Sequence, residues 1–164
     1  MVTFFCPSCW SETVEGESAC PNCGASSEVA EDWEYDQKLI NALRHPVPGS
    51  RTMAVTILGR RKVKEAVGPM VELFRTTSDI FFQQAVLEAL EEIGEPVPLG
   101  LAIAALDSPS FIVRGKAVEL LALYGAKQSA ELLTRALEDV NENVRKKARA
   151  EIERRLLARR GQGL

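Results

Sequence analysis

Histidine occurs once in this sequence, at His45, and the first 36 residues contain no lysine or arginine. A lone histidine with no carboxylate or free cysteine grouped near it in sequence provides neither a Ser-His-Asp nor a Cys-His arrangement, and reads as a helix-end residue. Aromatic side chains make up only 6% of the chain. That scarcity argues against an all-β domain, because strands favour aromatic and β-branched residues. No uninterrupted apolar run reaches the roughly 18 residues of a membrane span. A basic segment followed by an apolar one is missing from the N-terminus, so no secretory signal is read and the cytoplasm is the expected compartment. No glycine-rich phosphate loop follows a predicted strand. The chain is therefore not expected to be an enzyme, to enter a membrane or to take a small-molecule substrate.

What the sequence does contain is a period. Ala54, Ala85, Ala117 and Ala148 lie 31, 32 and 31 positions apart, within Arg51-x-x-Ala54, Phe82-x-x-Ala85, Arg114-x-x-Ala117 and Arg145-x-x-Ala148. A second apolar run in each of the first three units closes on Phe74, Leu106 and Leu137. Self-similarity at this spacing implies stacked supersecondary units. Capping and breaker residues predict paired helices over 50–60 and 64–75, 80–92 and 97–106, and 110–124 and 127–137, with a last helix from 139 to about 159. Ser50, Ser78 or Asp79, and Ser108-Pro109 supply the starts; Gly94-Glu95-Pro96 and Gly125 supply the breaks. An additional helix opens at Trp33 and Tyr35, with Leu39, Ile40 and Leu43 on one face, and stops at His45-Pro46-Val47-Pro48-Gly49.

Asp107 to Ala117 and Asp139 to Ala148, with Val113-Arg114 and Val144-Arg145 at matching offsets, resemble HEAT repeats. They are most similar to the short HEAT-like repeats first grouped with the bilin lyases. The resemblance spans about residues 34–157 and is closest in the third and fourth units. It implies an all-α fold, an α-solenoid built as a HEAT-like α-α superhelix. It also implies an Asp–Arg ladder between units, with the alanines allowing close helix approach. Phe82 stands where the family has arginine and His45 where it has aspartate, so the ladder is expected to be incomplete there. Arg51, Arg114 and Arg145 are then structural.

All four cysteines fall in Cys6-Pro7-Ser8-Cys9 and Cys20-Pro21-Asn22-Cys23, ten residues apart. Two such corners can place four thiolates around Zn²⁺. Two disulfides and a redox dithiol are the competing readings. A cytoplasmic chain stays reduced, and no thioredoxin-like βαβ context is present, so zinc is preferred. Four thiolates leave no open coordination position, which makes the metal structural. The stretch resembles the short zinc-ribbon modules of bacteria and archaea; Cys23-Gly24 matches their pattern, while Trp10 stands where glycine is usual. Glycine is favoured there because the knuckle wants a positive φ. Trp10 is read as packing on the ribbon or first repeat, or as an anchor for a partner. The expected division is a zinc ribbon over 1–24, a small acidic linker over 25–32, and the solenoid over 33–164.

The second helices of each pair are expected to line the concave face. Their charges nearly cancel: Lys64, Glu65, Glu72 and Arg75, then Lys127, Glu131, Arg135 and Glu138, with none over 97–106. A groove that follows a phosphate backbone needs excess positive charge. The reading is therefore a non-catalytic adaptor holding a protein partner through the concave face and ribbon, with Trp10, Glu72, Arg75, Glu131 and Arg135 as candidate contacts. One alternative is nucleic-acid binding through the basic last helix and the ribbon. The other, implied by the family resemblance alone, is an accessory role with a bilin or cofactor lyase.

Overall fold

The computed structural model describes residues 4–95, 97–124 and 126–161. The expected breaks at Pro96 and Gly125, residues 1–3 of the ribbon, residues 162–164 of the solenoid and the side chain of Arg159 lie outside the described residues. A short hairpin comes first, β1 (Phe4–Phe5) antiparallel to β2 (Glu12–Thr13), with Phe4 opposite Thr13. Among the described residues eight α-helices follow: α1 (Tyr35–Ala42), α2 (Pro48–Arg60), α3 (Val67–Thr76), α4 (Ile80–Ile93), α5 (Leu99–Leu106), α6 (Phe111–Leu120), α7 (Ala126–Ala136) and α8 (Glu142–Gly161). Helices α2, α4, α6 and α8 pack in succession as one row. Across that row lie α1 on α2, α3 on α4, α5 on α6 and α7 on α8. The sequence of helix pairs is that of an α-solenoid.

Local chemistry sets most boundaries. Asp79 caps α4, its carboxylate accepting from the backbone N–H of Phe81 (3.0 Å) and Phe82 (3.1 Å). Gly94, at φ 75°, closes the same helix in the left-handed region. Several expected starts move, the last helix beginning at Glu142 and the helix expected from 97 at Leu99. Ser50 lies inside α2, because Pro48 occupies the helix start, where a missing N–H goes unnoticed. The helix expected from Trp33 begins at Tyr35, with Gln37 Oε1 accepting from the Glu34 N–H at 3.0 Å.

The core runs between the two rows through Val55, Leu58, Met70, Phe82, Leu90, Leu101, Leu120 and Leu133. It corrects the register of the second unit. Ala54, Ala117 and Ala148 are buried, but Ala85 is only partly so, and Val86 takes the inward position. Phe82, aligned by sequence with the arginines, is instead a core side chain, 2% exposed. The residue structurally equivalent to those arginines is Gln83. Its Nε2 donates to the Thr77 carbonyl six residues back (3.0 Å), as Arg114 Nη1 does to Ser108 (3.0 Å) and Arg145 Nη1 to Asp139 (2.6 Å). Each of these side chains staples the turn that precedes its own helix.

One rung between units is complete. Arg114 grips Asp139 with two parallel bonds, Nε to Oδ2 at 2.7 Å and Nη2 to Oδ1 at 2.9 Å, and both side chains are nearly buried. The Arg114 guanidinium is the main reason the Asp139 carboxyl sits below its ordinary pKa. Arg51 has no such partner; its guanidinium lies 5.2 Å over the Phe82 ring, and its Nε is buried without a hydrogen bond. Asp107 is taken by Arg135 from α7. A close approach of α2 and α4 centres on Gly59, where a Cβ would fall 2.8 Å from both Cα and Cβ of Ala89.

Candidate metal centre and partner cleft

The two cysteine corners are built alike. In the first, the Trp10 N–H donates to the Cys6 carbonyl (2.8 Å) and the Cys6 N–H to that of Ser11 (2.9 Å). In the second, Gly24 donates to Cys20 (2.8 Å) and Cys20 to Ala25 (2.8 Å). Both knuckles need a positive φ, 62° at Trp10 and 71° at Gly24. Repetition of the turn brings all four Sγ atoms within 4.8 Å of one another, with Cys6 to Cys23 at 3.8 Å and Cys9 to Cys20 at 3.7 Å. The cysteines are free, at separations far beyond the roughly 2.05 Å of a disulfide. Four soft donors so disposed are compatible with a metal ion.

Their electrostatics are uneven. Hydrogen bonding to Ser11, through its side chain and then its backbone, and to Asn22 brings the Cys9 thiol down to about 6. At Cys23 a backbone bond from Ala25 acts in the same direction, but the neighbouring thiols and desolvation outweigh it, and the group rises to about 11. Crowded sulfurs resist ionising together until a cation sits among them.

The four-cysteine segment does not stand alone. Trp10 Nε1 donates to the Asn41 carbonyl of α1 at 3.1 Å, and Asn41 Nδ2 donates back to the Pro7 carbonyl. The His45 ring lies between Trp10 (centroids 4.5 Å apart) and Phe5 (5.1 Å, edge-on), and its Nδ1 accepts from the Val47 N–H at 3.0 Å. Trp10 is thus engaged inside the chain rather than offered as a partner anchor. His45, expected as a plain helix end, is the joint between ribbon and helices. Nothing in the spacing of residues 10, 41 and 45 announces that contact.

Of the other candidate contacts, Glu72 lines a cleft of about 700 Å³ between α1 and α3. Trp33, Ile40, Pro69 and Leu73 supply its apolar surface, and Glu72 faces Arg44 at 4.0 Å. Arg75 lies elsewhere, in a smaller hollow with Asp107, the residue that Arg135 engages. Glu131 is exposed on α7 and lines neither depression. The structure therefore separates Glu72 from the Arg75–Asp107–Arg135 group. Sequence reasoning placed Trp33 at the opening of a helix, and missed Arg44, Pro69 and Leu73. Helical spacing alone cannot tell a half-buried groove wall from core.

The basic residues of α8 are largely occupied. Arg145 binds its own turn, Lys147 pairs with Glu119, and Arg154 and Arg155 share the buried Glu151. Arg155 also donates to the carbonyls of Leu121 (2.5 Å) and Tyr124 (3.3 Å). These are contacts within the fold.

The sequence pattern of one family, described as HEAT repeats, matches residues 37–102, from α1 into α5. Searched against curated proteins, the chain has no match. The family match falls on the first two units, whereas the residues that carry the resemblance by eye lie in the third and fourth. Together with the paired helices, it supports a HEAT-type solenoid.

Proposed function

We propose that this chain is a non-catalytic protein–protein interaction scaffold, holding a protein segment in the α1–α3 cleft and stabilised at that end by a structural zinc. The observation that carries the reading is the cleft itself. An apolar surface of Trp33, Ile40, Pro69 and Leu73 beside the exposed charges of Arg44 and Glu72 is the composition of an interface core with a polar rim. HEAT repeats commonly serve protein–protein interaction, and the match to that family covers both walls of the cleft.

Cys6, Cys9, Cys20 and Cys23 would hold the zinc. A tetrahedral ion about 2.3 Å from each sulfur sets the sulfurs about 3.8 Å apart, close to the 3.8 Å of Cys6–Cys23 and the 3.7 Å of Cys9–Cys20. With four thiolates as ligands the ion has no open position, so its contribution is to fix the two knuckles together. Holding them fixes Trp10 and Pro7 against Asn41, at the edge of the cleft.

The test is retention of a partner by the tagged chain in extract of its native host at moderate salt. The expected result is a stoichiometric protein that Leu73→Glu abolishes and Glu131→Ala leaves in place. Co-eluting nucleic acid, read from the 260/280 nm absorbance ratio and removed by salt, would replace the scaffold reading with a nucleic-acid one.

A further inference from the structure

The two ends of this chain are complementary in both charge and apolar surface. At one end, Glu31, Asp32 and Glu34 are exposed and enter no ion pair among the described residues, and Trp33 between them lines the α1–α3 cleft. That end belongs to a 36-residue stretch with eight carboxylates and no lysine or arginine. At the other end, α8 exposes Leu156 (50%) and Leu157 (66%) on the face it turns away from the stack. Arg149 and Arg160 lie on the same face at helical spacing and are exposed, and neither enters an ion pair among the described residues. Glu153 is the one carboxylate interleaved with them. Two adjacent leucines left half or more exposed on a folded helix, flanked by unpaired arginines, need an apolar surface rimmed with acid.

We infer that the exposed face of α8 docks into the α1–α3 cleft of a second copy of this chain, beside that copy's Glu31, Asp32 and Glu34, so that copies join head to tail. The inference rests on reading that cleft as a protein-docking site, and it names the occupant. Leu156 and Leu157 meet Trp33, Ile40 and Leu73, while Arg149 and Arg160 face Glu31, Asp32 and Glu34. Because the two surfaces differ, the contact is heterologous. Its product grows by successive addition or closes into a ring, of which a reciprocal two-fold dimer is the smallest. Opposite charge at the two ends also speeds encounter and penalises head-to-head pairing.

The experiment is sedimentation velocity of the full chain over a hundredfold range of concentration at about 0.1 M salt, where charges are felt over about 10 Å. The expected result is a weight-average mass that rises with concentration above the 18.0 kDa protomer. The rise should weaken at about 1 M salt, where that range shrinks to about 3 Å. Leu157→Glu, at a position too exposed to threaten the fold, abolishes it. A charge swap supplies the decisive arm. A triple variant E31K/D32K/E34K and a double variant R149E/R160E should each stay monomeric, and an equimolar mixture of the two should associate. A protomer mass at every concentration, or a mixture that stays monomeric, would each overturn the inference. In the first case, a host partner still lost on Leu73→Glu would leave the scaffold reading intact.

Discussion

Replacing Asp139 by asparagine removes the charge from the one complete rung between units while keeping the side chain's size. Arg114 would then keep its bonds to the Ser108 and Pro109 carbonyls (both 3.0 Å) but lose the two-point grip on Asp139. Breaking a buried pair from one side costs about 3–5 kcal/mol; with side chains 13% and 11% exposed, the lower end, about 3 kcal/mol, is expected. In a chain of this size that is a fall in Tm of about 6–12 °C. The double variant Arg114→Met with Asp139→Leu leaves no orphaned charge but also removes the Arg114 bonds to Ser108 and Pro109 and the acceptor of the Asn141 N–H, so part of the loss should return. Asp139 also sets a pH dependence. Its pKa is depressed in the folded state, so its contribution is present above the unfolded value of about 3.9 and disappears as pH falls through the folded one. Urea unfolding followed by far-UV circular dichroism between pH 7 and pH 3 measures both effects. Tryptophan fluorescence reports separately on the N-terminal end, where Trp10 and Trp33 lie. The reasoning fails if Asp139→Asn costs under about 1 kcal/mol, or if the double variant is no better than the single.

Metal analysis of protein purified without chelator should give one zinc per chain. Chelation should then red-shift the Trp10 emission with little loss of helix, and a value well below one zinc would refute the assignment. Gly59→Ala gains about 1 kcal/mol of helix propensity, but it places a Cβ 2.8 Å from Ala89. Overpacking of this kind costs about 1–3 kcal/mol, so a net loss of stability is expected, and a Tm at or above wild type would show that α2 and α4 separate freely. Gln83→Ala leaves the Thr77 and Phe74 carbonyls without their donor and should cost about 1 kcal/mol; an unchanged urea midpoint would show that the staple contributes nothing.

The helical stack was legible because its period is long and its apolar positions recur, and the cysteine cluster because two identical corners can converge on little else. What stayed hidden has physical reasons. One residue of drift between units moved the inward position from Ala85 to Val86 and gave the arginine's task to Gln83, which a search for Arg-x-x-Ala passes over. Arg51 matched the pattern in sequence and found an aromatic ring instead of a carboxylate. Trp33 and Leu73 look like any apolar helix residue until the neighbouring helix is placed. The Trp10–Asn41–His45 contact joins residues from two segments with no shared periodicity. Glu72, Arg75, Glu131 and Arg135 were chosen for charge on the second helices, and charge alone does not say which of them border the same depression.

The left-handed backbone at Trp10 bears on how this ribbon can be inherited. A side chain other than glycine in that conformation costs roughly 1–2 kcal/mol, borne within the knuckle. The compensating bond and ring contact are made to Asn41 and His45, outside it. Cut away and joined to another protein, the ribbon would keep the strain and lose its return. A knuckle with glycine at that position would carry no such strain. Recombination that separated residues 4–24 from Asn41 and His45 would therefore be selected against, even with all four cysteines intact.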